Sequence, residues 1–201
     1  MNYTIQAIPT RYKGRQYRSR LEARWAAFFD YLEWRVEYEP CDFNGWIPDF
    51  VILEHDTVFV EVKPVSVFPK DAANKIAISG CEEECIIAGI SVPFPIKATQ
   101  SLPFGFPAIG WLAEKNQEKD SWWDFGLFSQ SYCAKRFGLF HGYSSYHCRI
   151  TGVHQPWKGR EGVAPHFQAF WAEHDLNDLI ANMWAEAGNA VQWKPAGRKY
   201  R

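Results

Sequence analysis

The sequence predicts an α/β protein, with a mixed sheet flanked by helices and an aromatic-rich α+β extension at the C-terminal side. Three observations predict this class. Apolar residues recur at helical spacing within residues 18–34, three strand-like segments follow up to residue 65, and a second helical segment leads into an apolar β-branched stretch. With 201 residues, 47% of them hydrophobic, the chain can form one domain with an extension or two small domains.

The first helix is predicted over residues 18–34, after an extended basic arm at residues 1–17. Ser19 suits the N-cap, and Glu22 stands three positions later, which is the spacing of a capping box. The apolar face of this helix consists of Leu21, Trp25, Phe28, Phe29 and Leu32.

Three strands are predicted next, over residues 35–43, 47–54 and 58–65. Asn44-Gly45 is a turn signal between the first two, and a short His-Asp-Thr connection joins the second to the third. Short connections between consecutive strands indicate an antiparallel meander.

A second helix is predicted over residues 70–79, ending near Gly80, and a buried strand over residues 84–92. A helical crossover between two strands of one sheet indicates that these strands are parallel. The predicted order is therefore helix, three strands, helix, strand.

The texture of the sequence changes beyond residue 92, which suggests a boundary between a core at 1–95 and an extension at 96–201. Residues 92–107 are rich in proline and resemble a linker or long loop. Residues 108–114 and 122–130 could form a hairpin, and residues 166–188 predict a long amphipathic helix ended by Gly188.

Charge and cysteine content limit the class of protein. The net charge is −1, but residues 11–20 hold five basic residues and no acid, and the tail at 194–201 holds four more. Such local patches could contact phosphate or simply be solvated surface. Five cysteines without a regular framework indicate reduced thiols. Because there is no apolar signal region and no apolar run near the ~20 residues of a membrane span, we expect a cytoplasmic protein without a membrane segment.

Charged residues stand at unusual places in the second and third strands. Glu61 and Lys63 alternate with valines, so they project from the same face, ~7 Å apart. Asp49 on the preceding strand is expected beside them. Two converging acids offer oxygen ligands for Mg²⁺, and a neighbouring lysine could position a water or offset negative charge. The alternative is a ladder of ion pairs on the solvent face of a hairpin.

These residues carry a resemblance. Pro48-Asp49, eleven residues and then Glu61-Val62-Lys63 resemble the PD-(D/E)XK nuclease superfamily, whose restriction-endonuclease-like core has the order αβββαβ. Members of that family commonly carry a glutamate on the first helix, and Glu22 takes that position here. The resemblance covers about residues 15–92, and the stretch RSRLE is similar to a segment of phage- and transposon-type endonucleases and resolvases.

The resemblance implies a metal-dependent DNA endonuclease with Mg²⁺, for which Mn²⁺ could substitute. Asp49, Glu61 and the carbonyl of Val62 would bind the metal, and Glu22 would complete the site. Lys63 would orient or activate the attacking water. Hydrolysis would leave a 5′-phosphate and a 3′-hydroxyl. Glu22 could instead serve only the capping box, and we expect one of these roles to exclude the other.

DNA is the expected partner, and several basic residues are candidates to contact it, although each could be plain solvated surface: Arg15, Arg18, Arg20, Lys75, Arg198 and Lys199. Glu37 and Glu39 share a strand face, and one of them could approach the metal, although solvation on an edge strand is the favoured interpretation. Trp122, Trp123, Trp157 and Trp193 could stack on bases or contact a partner, although packing is the commoner role of tryptophan.

Two other classes of function stay open: a non-catalytic nucleic-acid- or protein-binding module on the same fold, and a nuclease subunit active only in a complex. The C-terminal half could then bind a protein partner or a second copy of the chain. A zinc site is a weaker alternative. Cys81 and Cys85 form a close pair, but the later candidates, Cys133, His141, His147 and Cys148, contain no second clean pair.

Overall fold

The computed structural model describes residues 7–92, 108–113, 115–116, 121–122, 126–131, 136–141, 147–152 and 176–192. Within these residues the chain has an α/β fold built on a mixed sheet. None of the described helices combines the length and the apolar character that crossing a bilayer requires.

The described helices are α1 (Arg20–Tyr31), α2 (Lys70–Ile78) and α3 (Leu176–Ala190). The strands, in chain order, are β1 (Thr10–Tyr12), β2 (Arg15–Tyr17), β3 (Val36–Tyr38), β4 (Phe50–Leu53), β5 (Thr57–Val62), β6 (Glu84–Ala88), β7 (Ala108–Leu112), β8 (Lys115–Asn116), β9 (Ser121–Trp122), β10 (Gly126–Ser131) and β11 (Arg136–His141).

The main sheet has the strand order β11-β10-β7-β6-β5-β4-β3. Strands β3, β4 and β5 form the predicted antiparallel meander, with Phe50 opposite Val60 in the β4–β5 pair. Helix α2 then leads to β6, which pairs with β5 in parallel. The predicted order of elements and the predicted parallel pair are therefore confirmed.

Both faces of the central strands are buried. Val58, Val60 and Val62 lie in one core with apolar residues of α1 and α3, whereas Phe59 lies in a second core with Ala73 and Ile76 of α2 and with Trp46 and Val65. Covering helices on both faces are usual for a sheet with a parallel crossover. The alternative of a hairpin with one solvent face is therefore wrong.

Helix α1 begins after its predicted N-cap, Ser19, whose Oγ accepts a hydrogen bond from the amide of Glu22. It is shorter than predicted because Leu32 already forms the C-cap and Glu33 adopts a φ of 57°. The predicted apolar residues Trp25, Phe28 and Phe29 are buried against the sheet and α3, as the helical spacing requires.

The N-terminal segment differs from the predicted extended arm. Residues 10–17 form the β1–β2 hairpin, with Thr10 opposite Tyr17 and a turn at Lys13-Gly14 where both residues have positive φ. Tyr17 is buried, and its ring lies 4.7 Å from that of Tyr38. Burial of this aromatic ring holds the hairpin against the body of the protein.

The predicted turn at Asn44-Gly45 is confirmed. Both residues have positive φ, and the backbones of Phe43 and Trp46 exchange hydrogen bonds of 2.8 and 2.9 Å. A two-residue turn with positive φ at both positions is the type that Asn-Gly favours. β3 is shorter than predicted because Glu39, with a φ of 48°, interrupts the extended backbone.

The described strands of the C-terminal half continue the same sheet. β7 pairs with β6, and β10 and β11 follow beyond it. The hairpin predicted from residues 108–114 and 122–130 corresponds to β7 and β10, with the short β8–β9 pair between them. The boundary predicted at residues 95 and 96 falls outside the described residues, as does the predicted linker at 92–107 beyond its first residue, Val92.

Helix α3 packs against α1, where the Arg24 guanidinium lies 4.0 Å from the ring centre of Trp184 and donates to its carbonyl oxygen. The helix continues to Ala190, so the predicted end at Gly188 is wrong. A Cβ at Gly188 would lie 3.1 Å from Cζ of Arg24, so the glycine makes room for this side chain. Residues 166–175 of the predicted helix lie outside the described part of the chain.

Candidate active site

Two buried acids converge at one end of the β4–β5 hairpin. Asp49 immediately precedes β4, and Glu61 lies near the end of β5. Phe50 is opposite Val60 in the antiparallel pair, so the next residue on each side places Asp49 opposite Glu61. They are only 4% and 8% exposed. They border a cavity of about 410 Å³ that also contacts Arg18, Glu22, Val62, Lys63 and Lys75. The structure thus brings together the four predicted catalytic residues.

Glu61 is held by two hydrogen-bond donors. The indole Nε1 of Trp46 donates to Oε2 at 3.0 Å, and the ammonium of Lys63 contacts Oε1. Because Glu61 and Trp46 are both buried, a charged carboxylate at this position depends on these donors. An isolated ion-pair ladder in solvent would not need a buried indole partner.

Asp49 is fixed in place by the backbone of β5. Its Oδ2 accepts a hydrogen bond of 2.7 Å from the amide of Val62. Burial, and next the negative charge of Glu61, raise the pKa of Asp49 to about 7, although the Val62 amide acts in the opposite direction. Two acids are therefore crowded in a site where a cation would relieve their repulsion.

Glu22 serves the helix N-terminus and lines the cavity at the same time. Its Oε1 accepts a hydrogen bond of 2.8 Å from Ser19 Oγ. Its Oε2 accepts hydrogen bonds of 2.5 Å from the hydroxyl of Tyr38 and of 3.2 Å from the amide of Arg18. The structure thus shows that a place at the helix start does not keep Glu22 away from the cavity, because α1 begins at the edge of the cavity.

Arg18 links the carboxylates of the site. Its Nη2 donates to Oδ1 of Asp49 at 2.5 Å, and its Nε lies 2.9 Å from Glu39 and 3.8 Å from Glu22. The side chain is still 55% exposed. The sequence suggests Arg18 as a phosphate contact and leaves open whether Glu37 or Glu39 nears the metal. The structure adds that Arg18 pairs with Asp49 and connects Glu39 to the site.

The other residues predicted to contact DNA differ in their position relative to the cavity. Lys75, on α2, is exposed and lines the cavity, whereas Arg15 on β2 and Arg20 at the start of α1 are exposed but are not part of its described lining. Arg198 and Lys199 lie outside the described residues, as do Trp123, Trp157, Trp193 and the side chain of Trp122.

Sequence reasoning missed the roles of Tyr38 and Trp46. Both are aromatic residues with a polar group. The hydroxyl of Tyr38 donates a hydrogen bond to Glu22, and the indole of Trp46 donates one to Glu61. The pattern places Tyr38 on a strand and Trp46 after a turn, but the contacts depend on how distant segments pack. The signal that could have found these roles is that a buried indole or phenol usually needs a hydrogen-bond acceptor.

A second group of polar side chains lies where the β4–β5 turn meets residues 147–152. The carboxylate of Asp56 accepts hydrogen bonds from two imidazoles, with distances of 2.7 Å to His55 Nδ1 and 2.6 Å to His147 Nε2. The sequence treats residues 55–57 as a simple connection and weighs His147 with cysteines. Among the described residues, His55, Asp56 and His147 form a group of three side chains that could hold a metal ion.

The cysteine pair does not reproduce a zinc site within the described residues. The sulfurs of Cys81 and Cys85 are 3.7 Å apart, and burial, followed by the neighbouring Cys81, raises the pKa of Cys85. Cys148 is buried and free. Cys133 and the side chain of His141 lie outside the described part of the chain.

Comparisons with protein-family models, with curated proteins and with solved structures gave no match for this chain. The function is therefore inferred from the residues and geometry of the cavity, together with the resemblance carried by Asp49, Glu61, Lys63 and Glu22.

Proposed function

We propose that this protein is a metal-dependent endonuclease that hydrolyses DNA phosphodiester bonds, with Mg²⁺ as its metal and Mn²⁺ as a substitute. The observation that carries the proposal is the convergence of buried Asp49 and Glu61 with Lys63 and Glu22 on one cavity. The order α1, β3, β4, β5, α2, β6 is also the order that a restriction-endonuclease-like core of the PD-(D/E)XK type would have. On this proposal the protein acts in the cytoplasm.

The donor set fits a hard divalent cation. Asp49 and Glu61 offer carboxylate oxygens on adjacent strands, and Mg²⁺ is typically bound by one or two carboxylates while it keeps several waters. Burial and, next, repulsion by Glu61 raise the pKa of Asp49, and a bound cation would relieve the repulsion. In this proposal the carbonyl of Val62 is a further ligand, and Glu22 takes part through a water.

Lys63 is the residue we assign to the attacking water. Its ammonium already contacts Glu61, so it lies beside the proposed metal ligands, and it is 29% exposed toward the cavity. The bound metal would supply Lewis acidity and a water of lowered pKa. Lys63 would hold that water by a hydrogen bond and offset negative charge as it develops on the phosphate.

The network around Glu22 has a positioning role in this proposal. Ser19 and Tyr38 each donate to one oxygen of the carboxylate, which fixes its orientation at the start of α1. Hydrogen-bond partners that orient the ligands of a metal commonly have a strong effect on metal affinity, although they do not touch the metal. Tyr38 and Ser19 are therefore expected to influence the metal site without touching the substrate.

Arg18 would exchange one partner for another. Without metal its guanidinium pairs with Asp49, and a cation bound to Asp49 would compete with that contact. We propose that the released guanidinium then pairs with a DNA phosphate, for which its planar donor geometry is suited. Lys75, which also lines the cavity, would contact the DNA backbone. Arg15, Arg20, Arg198 and Lys199 would be further contacts.

The test is cleavage of supercoiled plasmid with Mg²⁺, Mn²⁺ or EDTA. Asp49→Asn and Lys63→Ala are expected to reduce nicking by at least about 100-fold. Matched controls on the exposed start of α2, Asp71→Asn and Lys70→Ala, should keep wild-type activity. Circular dichroism would verify that each variant is folded.

Two outcomes would contradict the proposal. If plasmid, linear, branched and single-stranded DNA and RNA all stay intact with either metal, the isolated chain is not a nuclease. Binding of DNA under those conditions would favour a non-catalytic module, and cleavage that appears only with an added protein would favour a subunit of a complex. Cleavage that survives Asp49→Asn would show that the chemistry lies elsewhere.

A further inference from the structure

We propose that His55, Asp56 and His147 form a second metal site, which takes a transition-metal dication such as Zn²⁺. This His–Asp–His cluster is separate from the cavity. Asp49 and Glu61 lie at one end of the β4–β5 hairpin, whereas His55 and Asp56 lie in the turn at its other end. The inference goes beyond the proposed nuclease function and does not depend on it.

The potential ligand atoms already lie together. His55 Nδ1 is 2.7 Å from Oδ1 of Asp56, His147 Nε2 is 2.6 Å from Oδ2, and all three ligand atoms lie within 4.8 Å of one another. Zinc binds imidazole nitrogen and carboxylate oxygen at ~2.0–2.2 Å, which sets neighbouring ligand atoms ~3 Å apart. Small rotations of the side chains would therefore suffice to admit the ion.

The backbone around the cluster is held in place. The amide of Asp56 donates to the carbonyl of Arg149 at 2.9 Å. The guanidinium of Arg149 donates to the carbonyl of His147 at 2.7 Å and forms hydrogen bonds of 2.6 and 3.2 Å with Glu84. Arg149 thus fixes the chain on both sides of the cluster, and Glu84 anchors Arg149 to β6.

Gly152 fits the ring of His55 tightly. A Cβ at residue 152 would lie only 2.2 Å from Cδ2 of His55, and the glycine has a φ of +70°. Any side chain at residue 152 would therefore displace the imidazole. The close contact holds the His55 ring beside Asp56, although the residue is 53% exposed.

The charge of the cluster suits a cation. The carboxylate of Asp56 is only partly buried and accepts hydrogen bonds from both imidazoles. Arg149 Nε lies 3.9 Å from Asp56 Oδ2, but its ion pair with Glu84 offsets that charge. With neutral imidazoles, an anionic ligand set is left at the surface.

The ligand types indicate which metal would bind. Two imidazoles and one carboxylate suit Zn²⁺, Co²⁺ or Ni²⁺ better than Mg²⁺, which prefers oxygen ligands. Three protein ligands leave a fourth position for water. Because Asp56 and His147 are 91 residues apart, a bound ion would connect the hairpin turn to a distant segment and stabilise the folded chain.

The experiment uses the full chain without a histidine tag, freed of metal with EDTA and then titrated with Zn²⁺ and with Co²⁺. We expect a site that survives Asp49→Asn, gives the visible absorption of tetrahedral Co²⁺, and raises Tm by several degrees. His55→Gln, His147→Gln and Asp56→Asn should each weaken Zn²⁺ binding at least tenfold. Asp71→Asn should leave it unchanged.

His55→Gln is the decisive variant because His55 is exposed and its replacement should leave the fold intact. Zn²⁺ binding of equal strength in the wild type and in His55→Gln would overturn the proposal. Failure of the wild type to bind Zn²⁺ or Co²⁺ at micromolar concentration would do the same, and would leave Asp56 as a hydrogen-bonded bridge between two imidazoles. Loss of binding in Asp49→Asn would assign the ion to the cavity instead.

Discussion

The two ends of the β4–β5 hairpin carry different chemistry on the same pair of strands. At the cavity end, Asp49 and Glu61 are almost fully buried and lie close to each other, with Arg18 and Lys63 as cationic partners. At the turn end, Asp56 is partly exposed and lies between two imidazoles. Burial of charge is costly, so acids that persist in the interior need donors or a cation. In our two proposals, the hairpin separates an oxygen-rich site for a hard ion from a site with two imidazoles for a softer one.

The partners at the two ends also differ in origin. The cavity acids are held by Arg18, Tyr38 and Trp46, which come from the start of α1, from β3 and from the loop before β4. At the turn end, one imidazole is adjacent in sequence and the other comes from residues 147–152. In our proposals, substitutions at the cavity end should therefore alter metal binding and DNA cleavage. Substitutions at the turn end should alter how firmly residues 147–152 are held against the hairpin.

The largest effect is expected from Lys63→Ala. Loss of a group that positions or deprotonates the attacking water should reduce the single-turnover rate of DNA cleavage by about 10²–10⁴-fold. Mn²⁺ binding, measured by calorimetry, should be kept, because the carboxylate ligands remain. A variant that loses metal binding and activity together would show that Lys63 acts mainly by holding Glu61.

The pH dependence of stability distinguishes the two ends next. Asp49 has a pKa raised from 3.8 to about 7, so the folded state binds its proton more tightly than the unfolded state. In EDTA, the contribution of Asp49 to the free energy of unfolding should therefore fall as pH rises from 3.8 to about 7, by up to about 1.4 kcal/mol per pH unit. It should stay constant above that range. Urea denaturation of the wild type and Asp49→Asn would measure the difference.

At the turn end the sign is opposite. The pKa of Asp56 is lowered, so its contribution is present above the ordinary value of 3.8 and is lost as pH falls through the folded value. The difference between the wild type and Asp56→Asn should therefore grow with rising pH at the acid end of the range. Identical slopes for Asp49→Asn and Asp56→Asn would break the contrast between the two ends.

A smaller effect is expected from Trp46→Phe, which keeps an aromatic ring but removes the indole donor to Glu61. Loss of a hydrogen bond that orients a metal ligand typically costs ~10–100-fold in metal affinity. The Mn²⁺ dissociation constant would measure it. Trp25→Phe, which removes an indole donor to the carbonyl of Gly89 instead, is the control and should alter stability but not Mn²⁺ affinity.

The smallest effect is expected from Arg18→Ala. Removal of the guanidinium frees Asp49, so Mn²⁺ affinity should rise by a few-fold to about tenfold, where tenfold equals 1.4 kcal/mol. DNA affinity, measured in Ca²⁺ by fluorescence anisotropy, should fall, and its salt slope should decrease by about 1. Weaker metal binding in this variant would argue that Arg18 supports the acids rather than competing for them.

Local patterns predicted the order of the elements and the proximity of Asp49 to Glu61. The alternation in Val58 to Lys63 and the turn at Asn44-Gly45 set the meander, and the meander brings Asp49 opposite Glu61. These relations depend on neighbours in sequence or on one hairpin register. The resemblance to PD-(D/E)XK nucleases added Glu22, which the structure places at the same cavity.

Other features depend on packing between distant segments. Alternation could not show that α2 covers the second face of β5, so Phe59 was compatible with solvent exposure. Tyr38, Trp46 and His147 find their acceptors only after the sheet and the helices are assembled. The N-terminal hairpin likewise follows from burial of Tyr17, which the basic composition of residues 11–20 obscures.

The pairing of β7 with β6 has a consequence for shortened forms of the protein. Ile86, Ile87 and Ala88 of β6 are paired on one side by β5 and on the other by β7. A chain that stopped near residue 95 would keep the cavity residues but leave one side of β6 as an open edge. Open edges of this kind attract strands of other molecules, so such a fragment should self-associate. The C-terminal half would thus act as a built-in cover against aggregation, whatever else it binds.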